Sequence, residues 1–213
     1  YSTVIHACAK SSDLARAEHW MERMRTAGVE SNSVTFNSLI NVCARAGDAD
    51  RAEEWLTKMQ NAGLSPGVLT YNSVINACAK AGDAARAESW LTRMEAKGAQ
   101  PDSVSYSTVI HAYVKSSNEK RAEHWLAQMH EVRLTPSATC YEWVIQACTQ
   151  AGNLASADRW MTAALKTVDV SAPTINRFIN KCLQSNDPSM AARWTKEMER
   201  RGSASSTSRP SRA

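Results

Sequence analysis

Hydrophobic and polar positions along this chain alternate with helical spacing. Between Val68 and Asp102, the apolar residues Tyr71, Val74, Ile75 and Cys78 fall at i, i+3, i+4 and i+7, one stripe on an α-helix. Ala81-Gly82-Asp83 follows. Gly82 can take the left-handed conformation that ends a helix, and Asp83 can cap the next one. Ala87, Trp90, Leu91 and Met94 then repeat the stripe, and Gly98 and Pro101 stop it. The pattern predicts a helix, a tight turn, a second helix and a short loop. Neither helix can hide its stripe alone.

The same unit recurs along the chain. Trp20, Trp55, Trp90, Trp125 and Trp160 follow one another at steps of 35 residues, and Trp194 comes one residue early. Tyr1, Phe36, Tyr71, Tyr106 and Tyr141 keep the step of 35, and so do Ile5, Ile40, Ile75, Ile110 and Ile145. Three coincident ladders define a repeat. Each unit can bury its stripes against the next, which predicts an all-α solenoid of stacked helix-turn-helix repeats with eleven or twelve helices and no strand. The expected units are residues 1–32, 33–67, 68–102, 103–137, 138–171 and 172–202. The first has lost its opening three positions and the last is degenerate, with Ile175 in the aromatic slot. In the fourth, Ser116-Ser117-Asn118 replaces the glycine turn, and Asn118 can still cap. Residues 203–213 form a Ser/Arg-rich tail whose composition predicts disorder. Trp55, Trp90 and Trp125 are expected to be largely buried between the second helices of adjacent units.

Composition adds little to the periodicity. The net charge of +4 over 213 residues permits a nucleic-acid partner without arguing for one. No apolar run reaches the ~18 residues that a membrane span needs. The chain opens inside a first helix, so any targeting peptide is expected upstream. Cys8, Cys43, Cys78, Cys148 and Cys182 share one position on the buried stripe. Neighbouring units place such positions ~8–10 Å apart, beyond the ~7 Å that a disulfide tolerates. The thiols are therefore expected to be free and buried, and no C-x-x-C pair suggests zinc.

The polar positions of the first helix carry the candidate chemistry. Asn72, Asn76 and Lys80 lie off the apolar stripe. The register of Lys80 reads Lys10, Arg45, Lys80 and Lys115, then Gln150 and Gln184. A ladder of cations at one register suits a phosphate backbone. It equally suits the negative C-terminal end of each helix, worth ~0.3–1 kcal/mol per cation, and the ladder alone leaves both readings open. His19 and His124 sit beside Trp20 and Trp125 on a polar face and are too far apart for a joint metal site. There is no glycine-rich phosphate loop and no nucleophile–base pair, and the H-x-E…P-C-x-x-C signature of a zinc deaminase is missing. No catalytic residue, metal, cofactor or small-molecule substrate is expected.

The unit V-x-T-Y-N-x-x-I-x-A-C-x-K-A-G, continuing A-x-x-W-x-x-x-M-x-x-x-G-x-x-P-D, resembles the pentatricopeptide repeat family, with its 35-residue P-type repeats. The resemblance covers residues 1–202. Tetratricopeptide units differ, since they run 34 residues and place a tryptophan early in the first helix. The resemblance implies a right-handed superhelix that binds single-stranded RNA, about one base per repeat, usually in a mitochondrion or plastid. There such proteins act in RNA processing, stability or translation.

The resemblance also implies which side chains meet RNA. Two residues read each base: Ser2 with Asn32, Asn37 with Gly67, Asn72 with Asp102, and Ser107 with Ser137. The corresponding pair in the fifth unit is Glu142 with Ser171, where the acid departs from the pattern and favours a structural role. Asn72 with Asp102 resembles a reader of U and Ser2 with Asn32 a reader of A. Asn37 with Gly67 lacks the second contact, and Ser107 with Ser137 is a weaker purine match. Val34, Leu69, Val104 and Thr139 stand where the family wedges a side chain between bases, and Lys10, Arg45, Lys80 and Lys115 would hold phosphates. With few clear pairs and a mild charge, the alternative is a protein-binding scaffold, a structural subunit of a large organelle assembly such as a ribosome or photosynthetic complex, with other proteins of that complex as partners.

Overall fold

A computed structural model of the chain describes residues 1–206, with side chains through Arg201. Twelve α-helices and no strand occur among the described residues. They fall into two compact units. The first holds α1 (Ser2–Lys10), α2 (Leu14–Thr26), α3 (Ser33–Ala46), α4 (Ala49–Asn61), α5 (Val68–Lys80), α6 (Ala84–Ala96), α7 (Ser103–Lys115) and α8 (Glu119–Glu131). The second holds α9 (Ala138–Ala151), α10 (Leu154–Ala164), α11 (Ala172–Gln184) and α12 (Pro188–Ser206). Helix α12 runs four residues into the stretch expected to be a disordered tail, because nothing breaks it at Gly202. The rest of that tail, 207–213, lies outside the described residues.

Local chemistry sets the helix ends. Asp13, Asp48, Asp83 and Asn118 each accept the backbone N–H three residues on with a side-chain oxygen. This satisfies one of the orphan donors at the start of every second helix of the first unit. The chain enters these caps through a residue in the left-handed conformation. Glycine fills that place at Gly47 (φ 75°) and Gly82 (φ 82°), but serine fills it at Ser12 (φ 60°) and Ser117 (φ 56°). A Cβ there crowds the following carbonyl at a cost of ~1–2 kcal/mol. Ser117→Gly is therefore expected to stabilise the protein by about 1 kcal/mol, read as a rise in the urea midpoint. A lowered midpoint would mean that the Ser117 side chain has a role that the turn does not reveal.

The first helices form a continuous layer in the first unit: α3 packs on α1 and α5, and α5 on α3 and α7. Helices α2, α4 and α6 each lie on their own first helix and on the next one, as α4 does on α3 and α5, and α8 lies on α7. In the second unit α9 and α11 pack together, with α10 and α12 on their partners. The buried stripes are those that the spacing indicates, including Leu39, Ile40 and Cys43 on α3 and Tyr71, Val74, Ile75 and Cys78 on α5. All six cysteines are buried. Burial pushes the Cys43 and Cys78 thiols up to about 12, with nearby carboxylates adding to the effect, so neither ionises at neutral pH.

The tryptophans are buried to different depths. Trp55 and Trp125 are buried, but Trp90 is only half-buried. Each ring leans on the opening aromatic of its own repeat, with centroids 6.3 Å apart for Phe36–Trp55, 6.4 Å for Tyr71–Trp90 and 5.9 Å for Tyr106–Trp125. The indole then reaches back to an acid on the preceding second helix. Trp55 Nε1 donates to Glu18 Oε1 (3.2 Å) and Trp90 Nε1 to Glu53 Oε1 (2.5 Å). The same acids take Arg51 and Arg86. In the second unit Trp194 Nε1 donates to Asp158 (2.7 Å), which also pairs with Arg193. Trp125 breaks the rule, because Tyr113 and Arg121 engage Glu88 instead, and the Trp125 N–H is buried with no partner among the described residues. Tyr113 stands where the neighbouring repeats carry cysteine, and its longer side chain reaches the acid first.

Candidate nucleic-acid interface

One face of the first helices repeats its chemistry from helix to helix. On α3 it reads Val34, Ser38, Asn41 and Arg45; on α5 Leu69, Ser73, Asn76 and Lys80; on α7 Val104, Thr108, His111 and Lys115. These positions follow i, i+4, i+7 and i+11, so each set is one strip along the helix. Val34, Leu69 and Val104 are 60%, 69% and 59% exposed, although Leu39, Ile40 and Val42 on α3, Val74 and Ile75 on α5, and Val109 and Ile110 on α7 are buried. Water gains nothing from such a row, so these side chains are surplus to the core. Thr139, at the same position on α9 of the second unit, is also exposed. Ser38, Ser73 and Thr108 spend their hydroxyl protons on the carbonyls of Val34, Leu69 and Val104 at 2.8–2.9 Å.

The proposed reading pairs have a common origin in helix capping. Asn32, Gly67, Asp102, Ser137 and Ser171 are the N-cap residues of α3, α5, α7, α9 and α11. Asn72 Nδ2 donates to Asp102 Oδ1 (3.1 Å), while Ser105 Oγ lies 2.5 Å from Asn72 Oδ1 and so fixes the amide's orientation. Asp102 Oδ1 also accepts the N–H groups of Val104 and Ser105 and the Ser105 hydroxyl. Every one of these bonds falls on Oδ1, and none engages Oδ2. Burial by itself would raise the Asp102 carboxyl, but the bonds from Ser105, Asn72 and Val104 more than offset it and hold it below the usual carboxylate range. Its contribution to stability is therefore present above the unfolded carboxylate's pKa and lost as pH falls through the lower folded value. At neutral pH it is an anion with one oxygen to offer.

The other pairs differ. Thr35 Oγ1 bridges Ser2 Oγ (3.0 Å) and Asn32 Oδ1 (2.9 Å). Asn37 Oδ1 accepts from Thr70 Oγ1 (2.7 Å), and its partner Gly67 brings no side chain. Ser107 lies half-buried on α7 of the first unit, and Ser137 Oγ accepts the Cys140 N–H in the second. Glu142 Oε1 accepts the Ser171 N–H (2.7 Å), so its charge serves the start of α11.

The cation ladder is stacked on helix ends. Arg45 Nη1 donates to the Lys10 carbonyl (3.4 Å) and Lys80 Nζ to the Arg45 carbonyl (3.1 Å). Both readings of the ladder thus act on the same side chains. A cleft of about 320 Å³ brings the row together, lined among others by Val34, Leu69, Asn37, Asn41, Lys10 and Arg45.

Charge segregation is the feature that the sequence pattern conceals. Helices α1, α3, α5 and α7 carry Lys10, Arg45, Lys80 and Lys115 and not one carboxylate. The first unit's acids lie on the second helices and the connections. A net charge of +4 hides this, because the acids cancel the cations in the sum but not in space. The larger cleft, about 1030 Å³ between α2 and α4, is lined by Glu18, Glu22, Glu30 and Glu54 beside Trp55. Its cations Arg25, Arg51 and Lys58 are already paired with carboxylates, so it offers no free positive charge to a phosphate. Burial, with Lys115 close by, holds His111 below the usual histidine range and leaves it neutral at pH 7. No cluster of three metal-ligating side chains occurs among the described residues, and no helix among them is long and apolar enough to cross a membrane.

Comparison with known proteins places this arrangement. The chain matches the family model for the pentacotripeptide-repeat region of PRORP over residues 1–175, and that for the PPR repeat over 174–203. No curated protein matches it by sequence. The pentatricopeptide repeat protein PPR10 from maize is 26% identical with a TM-score of 0.69, over 95% of this chain and 29% of that one. PPR10 has also been solved in complex with an 18-nt psaJ RNA element. The PPR domain of Arabidopsis thaliana protein-only RNase P 1, in complex with tRNA, is 19% identical with a TM-score of 0.71, over 90% of this chain and 95% of that one. Nuclear proteinaceous RNase P 2 of A. thaliana is 17% identical with a TM-score of 0.74, over 84% of this chain and 40% of that one. The chain thus spans under a third of PPR10. The 35-residue helix pairs, their all-helical stacking and the family models that together cover residues 1–203 make this chain a member of the pentatricopeptide repeat family.

Proposed function

We propose that this chain binds single-stranded RNA along the face of its first helices, about one base per repeat. The observation that carries the reading is the row of first helices bearing cations and no carboxylate beside an exposed aliphatic row. A phosphate backbone needs the first, and bases held apart between side chains need the second. In this reading Val34, Leu69, Val104 and Thr139 lie between bases. Lys10, Arg45, Lys80 and Lys115 meet phosphates. Asn72 with Asp102 and Ser2 with Asn32 read base edges, and the pairs Asn37–Gly67 and Ser107–Ser137 do so with less selectivity. The repeats bind and do not catalyse. Their work is RNA processing, stability or translation in a mitochondrion or plastid, a setting that rests on the family resemblance. The likeness to PPR10 and to the tRNA-bound repeats of protein-only RNase P 1 supports an RNA partner.

A scaffold is the second reading, favoured by one observation: Arg45 and Lys80 already satisfy helix-end carbonyls. Such a protein would present the same solenoid to other proteins of an organelle complex.

The Asp102 geometry gives the sharpest test. A carboxylate oxygen accepts from the imino N–H of U, whereas an amide can donate to the ring nitrogen of C. Asp102→Asn keeps the side chain's size, and its Oδ1 can still cap α7. The variant is expected to shift preference from a U-containing towards a C-containing oligonucleotide by ~1–3 kcal/mol with little change in the better affinity. Filter-binding titration of both proteins against both RNAs measures it. An unchanged U/C ratio removes Asp102 from base reading, and failure of the wild type to bind either RNA at low salt removes the RNA reading.

A further inference from the structure

Midway between the base-reading position and the cation, each first helix of the first unit carries a polar side chain at one register: His6, Asn41, Asn76 and His111. The order along α3 is Asn37, Asn41, Arg45, and along α5 it is Asn72, Asn76, Lys80. A rise of 1.5 Å per residue makes each step about 6 Å. A nucleotide has the same order, from base through ribose to phosphate. With a base at Asn37 and a phosphate at Arg45, the sugar falls beside Asn41. The cleft agrees with this placement, since Asn41 lines it together with Asn37, Arg45 and the aliphatic pair Val34 and Leu69.

The residue type also needs explaining. Asparagine in a helix interior is unfavourable relative to lysine, glutamate or glutamine, because its amide competes for nearby backbone groups. A merely solvated face would be filled better by those residues. Asn41 is exposed and Asn76 half-buried, and neither takes part in any hydrogen bond found among the described residues. Asn37 and Asn72, one turn earlier, are held by Thr70 and by Asp102 and Ser105. The free amides therefore have both a donor and an acceptor to give to a ligand. The ribose 2′-hydroxyl, itself donor and acceptor, is the matching group, and it is the one that distinguishes RNA from DNA.

We infer that Asn41 and Asn76 contact the ribose 2′-hydroxyl and make this face selective for RNA over DNA. The inference rests on the proposal that RNA lies along the first helices. It assigns a sugar-reading row beside the base-reading and phosphate-binding ones.

The test uses the full chain, a single-stranded U-containing RNA and the all-2′-deoxy oligonucleotide of the same base sequence. Wild type is expected to prefer the RNA. Asn41→Ala/Asn76→Ala is expected to lose about five-fold in RNA affinity per contact, one ordinary hydrogen bond each, while DNA affinity stays put and the preference collapses. Alanine raises helix propensity at both positions, so the variant keeps its fold. Ser73→Ala, whose hydroxyl already bonds the Leu69 carbonyl, is expected to change neither affinity. A preference that survives in the double variant overturns the sugar contact. So does an equal loss for RNA and DNA, which would put the amides on phosphate or base, and so does a wild type without preference. In each of these cases RNA binding itself stands. A wild type that binds neither strand overturns the RNA reading and the sugar contact with it.

Discussion

Trp55→Ala is expected to lower the stability of the protein by ~3–5 kcal/mol, the range for deleting a large buried aromatic. Three contacts end together. The ring leaves Phe36, with which its centroid is 6.3 Å apart, and it no longer supports the Lys58 ammonium 4.3 Å from that centroid. The indole N–H also leaves Glu18, so one link between α2 and α4 is lost. Because solenoid stability is a sum of repeat and neighbour-interface terms, both terms suffer at once. Trp90→Ala is expected to cost less, about 2 kcal/mol, because that ring is less deeply buried and contributes less apolar burial. Denaturant midpoints of the two variants, measured by circular dichroism, give the ordering. Equal losses would show that the bond to the acid, common to both, outweighs ring burial. Two unmoved midpoints would make the tryptophans a surface row available to a partner.

Removing Arg45, Lys80 and Lys115 together as alanines is expected to weaken binding to single-stranded RNA about a hundredfold at 0.1 M salt. Each phosphate contact on a single strand contributes ~0.7 to the slope of log affinity against log salt, so three lower that slope by about 2. The loss falls on all base sequences alike, unlike that of Asp102→Asn. Arg45 and Lys80 also donate to helix-end carbonyls, so the variant pays ~0.3–1 kcal/mol of stability per cation. The two roles separate by measurement. A binding loss with a reduced salt slope and a small stability loss places RNA on the ladder. A stability loss with unchanged RNA affinity and slope leaves the ladder as helix-end capping and favours the scaffold.

Much of the architecture is written in the order of residues, because helix formation is local. The stripe Tyr71, Val74, Ile75 and Cys78 and its copies needed only the helical period to be read, and the helices on them form as that period predicts. The caps Asp83 and Asn118 are equally legible, since a cap bonds three residues along its own backbone. The repeat itself, visible in Trp20 through Trp160, gives the stacking of like on like. Stacking depth and tilt between successive helices are not local, and they decide which groups meet. Trp90 escapes full burial, and Glu53 gathers Trp90, Arg86 and Cys78 from the following repeat. Glu18, Glu53 and Glu88 recur every 35 residues and could have been picked out as a ladder. Their partners could not, since those lie 25 to 37 residues away with no covalent rule connecting them. Tyr113 capturing Glu88 from Trp125 is a competition between two reaches, settled only by distances in space. The groove follows the same division. Asn72, Asp102 and the cation register are sequence positions, but only the folded layer of first helices separates their cations from the acids that nearly cancel them in the sum. The field that a ligand meets depends on where charges lie, and a linear chain does not specify that until its helices are stacked.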